Sequence, residues 1–192
     1  HSLTPGDEDL SCLGVALKSS ALALVSDYRN WLTALCPESG ILAATLDWLE
    51  SHAPPQGRTS LIHRDFRTGN FLVDQGSLTS VLDWDFAGWG DPYEDIGWFC
   101  ATCWRAGRDD LEAGGLATRD GFYRAYEAAG GQTIDPGAVA YWEIMAHTRW
   151  AIIARQQGVR AAQGDQPRHE LLEAAARVPG LERDLAAMIA AG

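Results

Sequence analysis

Asp65, Asn70 and Asp83 stand at the ends of apolar runs in the segment LIHRDFRTGNFLVDQGSLTSVLDWDFAGWGDPYEDIGW, residues 61–98. Asp65 precedes Asn70 by five positions and Asp83 by eighteen. His63-Arg64-Asp65, with Asn70 after it, matches H-R-D-x-x-x-x-N, a loop whose Asp accepts the proton of a substrate hydroxyl during phosphoryl transfer. That reaction asks little covalent work of a protein. It needs a carboxylate to orient or deprotonate the hydroxyl, one or two metal ions, and positioning. Asn70 offers a neutral carbonyl oxygen and Asp83 an anionic one, both hard ligands of the kind magnesium prefers. Singly, each has a plainer reading as a turn residue or strand-end carboxylate. The spacing of all three singles them out.

The elements around these residues follow from periodicity and punctuation. Residues 10–36 and 40–52 carry helical apolar patterns, the second stopped by Pro54-Pro55. Ser60 to His63 is a short run suited to a strand entering the catalytic loop. Residues 70–74 and 79–83 form a predicted hairpin joined around Gln75-Gly76-Ser77-Leu78. If Asp74 pairs with Thr79, then Leu72 faces Val81 and Asn70 faces Asp83, which brings both polar ends within reach of one ion. A one-residue slip would undo this. Asp91-Pro92-Tyr93-Glu94 starts a helix running to about Arg105, with Asp91 as its cap. Residues 106–117 read as a loop. Thr118 opens a helix to Ala129, Asp135-Pro136 opens a long one to about Ala162, and residues 168–190 form a last one. The predicted fold is α+β and mostly helical, one domain over residues 1–192, with a small hairpin at its chemical centre.

Three stretches resemble the aminoglycoside phosphotransferase family of the protein-kinase-like superfamily. They are His63 to Asn70, Val81-Leu82-Asp83-Trp84-Asp85, and Gly90 to Trp98. Tyr123 to Gly130 and Tyr141-Trp142-Glu143 resemble it more weakly, and most resemble the branch often associated with acyl-CoA dehydrogenases. By position, the resemblance implies Asp65 as catalytic base and Asn70 and Asp83 as metal ligands. It also implies a supporting role for Asp95, bracing the catalytic loop from the following helix, and for His63, packed beneath that loop. Many family members have Gly where this chain has Arg64, the form found in protein kinases. Asp85 reads equally as a supporting carboxylate or a solvated turn residue. Trp89, Glu143 and His147 are candidates for lining a substrate pocket, with core or rim for Trp89 and core or surface polar positions for the other two as the plainer reading. Trp84, Trp98 and Trp104 read as core and rim. The implied cofactors are Mg2+ and ATP, or another nucleoside triphosphate, with a small hydroxylated molecule as acceptor.

Composition narrows the partners. The chain of 192 residues carries a net charge of −11 and its only lysine is Lys18. With no basic stripe, nucleic acid is not an expected partner, and with no apolar run of about 18 residues neither is a membrane. Cys100 and Cys103 read as small helix residues rather than a redox or zinc pair. The four cysteines suit a reducing, cytoplasmic setting. Kinase-like enzymes also have an N-terminal lobe with a Gly-rich cover and a strand lysine. Lys18 sits in an amphipathic helical pattern, and the chain starts at His1, not Met. The expectation is therefore a C-terminal catalytic lobe, with the nucleotide-binding lobe absent from this sequence. A non-catalytic remnant or binding module with the same fold is the alternative.

Overall fold

The computed structural model describes residues 1–6, 10–13, 20–35, 39–55 and 57–192. Lys18, Cys36 and part of the expected helix 10–36 lie outside these. The described residues group into two compact units, His1–Ser20 with Pro54–Glu143, and Ala21–Ala53 with Ile144–Gly192.

The first unit carries the predicted chemistry. Strand β1 (Ser60–Ile62) pairs antiparallel with β4 (Gly88–Gly90), and β2 (Phe71–Asp74) with β3 (Ser77–Val81). Helix α3 (Pro92–Cys100) begins where expected. Asp91 caps it by accepting from the Tyr93 N–H at 2.9 Å, and Pro92 occupies its first turn. It stops at Cys100, short of Arg105, because Ala101 turns extended (ψ 141°) before a 3-10 turn over Thr102–Trp104. Helix α4 (Arg119–Ala128) is capped by Thr118, whose hydroxyl accepts from the Gly121 N–H. Helix α5 (Pro136–Gln163) starts at Asp135-Pro136, with the Asp135 carboxylate accepting from the Gly137 N–H at 2.9 Å. Gly97 lets α3 meet α5, since a Cβ there would lie 2.6 Å from Trp142 backbone and Cβ atoms. An aromatic cluster holds the loop after β1 to α3 and α4. Phe66 lies 4.9 Å from Phe71 and 5.3 Å from Phe99, and Phe99 lies 5.1 Å from Phe122, centroid to centroid.

The predicted hairpin register is corrected here. Phe71 faces Val81 and Leu72 faces Ser80, and a bulge then sets Val73 against Leu78 and Asp74 against Ser77. Asn70 lies against Leu82, not Asp83, and its carbonyl accepts the Leu82 N–H at 2.8 Å. The cause is the turn, which has two residues rather than four. Gln75 (φ 47°) and Gly76 (φ 79°) are both left-handed, as a tight type I′ hairpin demands.

The second unit is helical. Helices α1 (Ser20–Leu35), α2 (Gly40–Ser51), α6 (Arg168–Ala175) and α7 (Val178–Ala191) join the later part of α5. The single helix expected over 168–190 is two, because Pro179 seats α7 as a separate helix after Arg177. Leu42, Leu46 and Leu49 form the fully buried stripe of α2, which packs on α7 with Leu181 and Leu185. Ser39 donates to Glu182 at 2.9 Å, Arg155 pairs with Glu182, and Arg29 bridges Asp47 and Glu50. Among the described residues no helix is long and apolar enough to cross a membrane.

Candidate active site

Asp65 follows β1 and is 8 % exposed. Burying a carboxylate demands donors, and three side chains supply them. Trp98 Nε1 donates to Oδ1 at 3.0 Å, Asn70 Nδ2 to Oδ2 at 2.8 Å, and Arg67 Nε lies 3.2 Å from both oxygens. Asn70 Nδ2 also reaches the Asp65 carbonyl at 2.9 Å. The five-residue spacing thus becomes a closed loop in which Asn70 locks the conformation of Asp65. Arg67 and Trp98 were not foreseen as partners. The charge at Arg67 was a signal for itself, whereas the Trp98 contact spans 33 residues of sequence.

The loop backbone is fixed from α3. Asp95, almost fully buried, accepts the His63 N–H and the Arg64 N–H, each at 2.7 Å. Burial pushes its carboxyl above the usual range, against the lowering effect of those two amides. His1 and Tyr126 extend this network, with His1 Nε2 3.1 Å from Asp95 Oδ2 and His1 Nδ1 2.8 Å from the Tyr126 hydroxyl. These bonds tie Asp95 of α3 to the backbone of the loop. Arg64 adopts φ 64°, a conformation natural to Gly. Its side chain holds the strained residue in place, bonding the Trp89 carbonyl at 3.0 Å and pairing with Glu94 at 3.3 Å.

His63 joins the two ends of the site. Its Nδ1 accepts the Asp65 N–H at 3.2 Å and its Nε2 meets the Leu82 carbonyl at 2.9 Å. A carbonyl accepts only, so Nε2 carries the proton and Nδ1 the lone pair. With both nitrogens engaged, His63 is a structural ring, 4.6 Å from that of Trp84.

Asp83 lies just beyond β3, exposed, with φ 65°. That conformation takes it out of strand alternation, so the corrected register does not by itself decide where its side chain points. Asp85 is exposed in the following turn. Trp89 is buried in β4, and Glu143 is held by Arg119 through two bonds of 2.7 Å, with Arg105 at 3.4 Å. His147 is fully buried on α5. Near Glu143, burial first and the Glu143 charge second push the Cys100 thiol up to about 12.

Three properties fit a hard cation near Asn70 and Asp83. The Asn70 amide nitrogen is used internally, which leaves its carbonyl oxygen without a protein partner among the described residues. The Asp83 carboxylate likewise has no hydrogen bond or ion pair among them. Two protein oxygens also suit magnesium, which keeps waters and takes phosphate oxygens for its remaining positions. A separate cavity of about 370 Å³ lies beside His63 and Asp95, lined by Leu61, Phe66, Val81, Trp84 and Phe122 among others. Asp65, Asn70 and Asp83 do not line it.

Comparison with known proteins places this geometry. The profile described as "Phosphotransferase enzyme family" matches residues 19–131. The chain belongs to that family. It is 33% identical over 92 residues to mouse (Mus musculus) acyl-CoA dehydrogenase family member 10, covering 42% of this chain and 9% of that protein. A Ralstonia eutropha structure assigned as an aminoglycoside phosphotransferase superposes with a TM-score of 0.77 at 19% identity, covering 94% of this chain and 58% of its own. The macrolide 2′-phosphotransferase of Brachybacterium faecium gives 0.52 at 22%, covering 86% and 52%. Aminoglycoside phosphotransferase APH(4)-Ia, solved with AMP-PNP and hygromycin B, gives 0.53 at 20%, covering 83% and 50%. These likenesses establish the mostly helical α+β fold of the phosphotransferase lobe. The chain spans between 50% and 58% of the solved relatives and 9% of the curated one.

Proposed function

We propose that this chain is the C-terminal catalytic lobe of an ATP- and magnesium-dependent phosphotransferase that acts on a hydroxyl group of a small molecule. The observation that carries this reading is the Asp65 carboxylate, buried and oriented by Trp98 and Asn70, with Asn70 Nδ2 spent on it and the Asn70 carbonyl oxygen left over. Asp65 takes the acceptor's hydroxyl proton. The hydroxyl oxygen forms a bond to the terminal phosphorus while the bond from that phosphorus to the leaving diphosphate breaks. Asn70 and Asp83 would hold the magnesium, which supplies charge neutralisation at the transferring phosphoryl oxygens. Asp95 and His63 keep base and ligands in register. A nucleotide-gripping N-terminal lobe and a cytoplasmic setting complete the reading.

For the acceptor, the likeness to acyl-CoA dehydrogenase family member 10 favours a hydroxylated acyl compound or related metabolite over an antibiotic. The test uses the full-length protein that contains this segment, assayed for magnesium-dependent turnover of ATP. Asp65→Asn should lower kcat by about 10²–10⁴-fold, the usual worth of a positioned proton acceptor. Turnover at the wild-type rate would remove Asp65 from its role, whereas no magnesium-dependent turnover in the unsubstituted protein would favour a binding module with a kinase-like fold.

A further inference from the structure

We propose that the cavity beside His63 binds a small uncharged aromatic molecule whose presence steadies the Asp65 loop and the Asp83 turn, an inference that rests, for this coupling, on the proposed roles of Asp65 and Asp83. The cavity holds about 370 Å³. An apolar cavity of roughly 150 Å³ already takes a benzene, so two fused rings suit this one. Rings make up much of its wall. Phe66 comes from the Asp65 loop, Trp84 from the segment after β3, Phe122 and Tyr126 from α4, and His63 lies among them, with Leu61 of β1 alongside. A flat ligand meets such walls edge-on or offset, the arrangements that aromatic pairs prefer.

The polar groups on the wall are already engaged. His63 uses both ring nitrogens, Asp95 accepts two backbone amides, and the Tyr126 hydroxyl bonds His1. A ligand's own polar groups would find few partners there, and a charge fewer still. Among the described residues no lysine or arginine lines the cavity, and Asp95 puts an acidic group on it. Phosphates and carboxylates are therefore turned away.

The position of the cavity couples it to the chemistry. Phe66 directly follows Asp65, and Trp84 directly follows Asp83. Both line the cavity, with the His63 ring 6.4 Å from Phe66 and 4.6 Å from Trp84. Trp84 is 50% exposed, so the Asp83 end gains most from a packing partner. An occupant that holds Trp84 also restrains Asp83, and magnesium then has less ordering to impose.

The test uses indole, an uncharged two-ring molecule, on the full-length protein that contains this segment. Calorimetry should give a Kd of about 0.1–1 mM, a modest affinity for a molecule of that size. Indole-3-acetate, an anion, should bind at least about tenfold more weakly. Leu61→Trp, which fills the cavity, should abolish binding. Phe122→Leu, which removes one ring from the wall, should weaken it about three- to tenfold. A retained thermal unfolding transition shows that each variant folds, and Phe122→Leu carries the test if Leu61→Trp does not. Magnesium with AMP-PNP should tighten indole about fivefold, and indole should tighten magnesium with AMP-PNP by the same factor, as linkage requires. Absence of indole binding to the full-length protein, as when another part of the chain fills the cavity, overturns the site. Undiminished binding to the folded variants does the same. Indole binding that magnesium and AMP-PNP leave unchanged overturns the coupling. Failure of the phosphotransfer reading shows differently, as no magnesium-dependent turnover with or without indole while the indole Kd and its response to Phe122→Leu stand.

Discussion

The Asp65 loop and the β2–β3 hairpin present the two ends of the proposed site, and they are held in opposite ways. The loop is buried. Its carboxylate, its asparagine and its histidine are each tied by named hydrogen bonds, and Asp95 grips its backbone from α3. The hairpin is open to solvent, with Leu72, Val73, Leu78 and Leu82 between 43% and 63% exposed. It is held by its own ladder and a two-residue turn. In the loop, then, positioning and stability are one property, because removing a bond strands a buried partner. At the hairpin end they separate, because the Asp83 carboxylate bonds to no other side chain or amide among the described residues.

The strongest break with that contrast would come at Asp83. Asp83→Ala should cut magnesium-dependent turnover by about 10³-fold or more, while its stability changes by less than about 0.5 kcal/mol. A large fall in Tm would show that Asp83 is structural after all. Asp95→Ala should do the reverse, costing about 3–5 kcal/mol by leaving the His63 and Arg64 amides and His1 Nε2 without their partner. Thermal unfolding should then shift by about 2–4 °C for each kcal/mol. A shift within error would mean that the loop is held by something other than α3.

Alkaline pH offers a gentler probe of the buried side. The Cys100 thiol is raised from 9.0 to about 12, so the unfolded chain ionises first. Its contribution to stability is full below pH 9 and is lost as pH rises toward about 12. Cys100→Ala should flatten that limb of the stability–pH curve by at most about 4 kcal/mol, and an unchanged limb would clear Cys100 of the effect. The smallest effect belongs to the turn. Gln75→Asn, which suits the left-handed position better, should raise stability by about 0.5–1 kcal/mol with no change of register.

What could be read from sequence divides along the same line. The helix starts at Asp91, Thr118 and Asp135 were legible because caps act over three or four residues. The Asp65–Asn70 spacing was legible, but the hydrogen bonds that close the loop between them were not, because the expected partner of Asn70 was Asp83. The hairpin register was not, because a Gln at positive φ gives no warning of a two-residue turn, and the Leu72/Val73 bulge is silent in the sequence. Strand β4 is only Gly-Trp-Gly and exists through its pairing with β1, some distance back in the chain. The break between α6 and α7 was marked by Pro179 yet masked by the Ala/Leu pattern on both sides.

The His63 ring has a consequence for how this site can be varied or borrowed. One imidazole spans from the Asp65 amide to the Leu82 carbonyl next to Asp83, so these two stretches of backbone are spaced by a ring and its two hydrogen bonds. Replacing it with a longer or shorter side chain rescales the site rather than merely loosening it. A graft of this loop onto another scaffold therefore has to carry the imidazole and its two hydrogen-bond partners as one cassette.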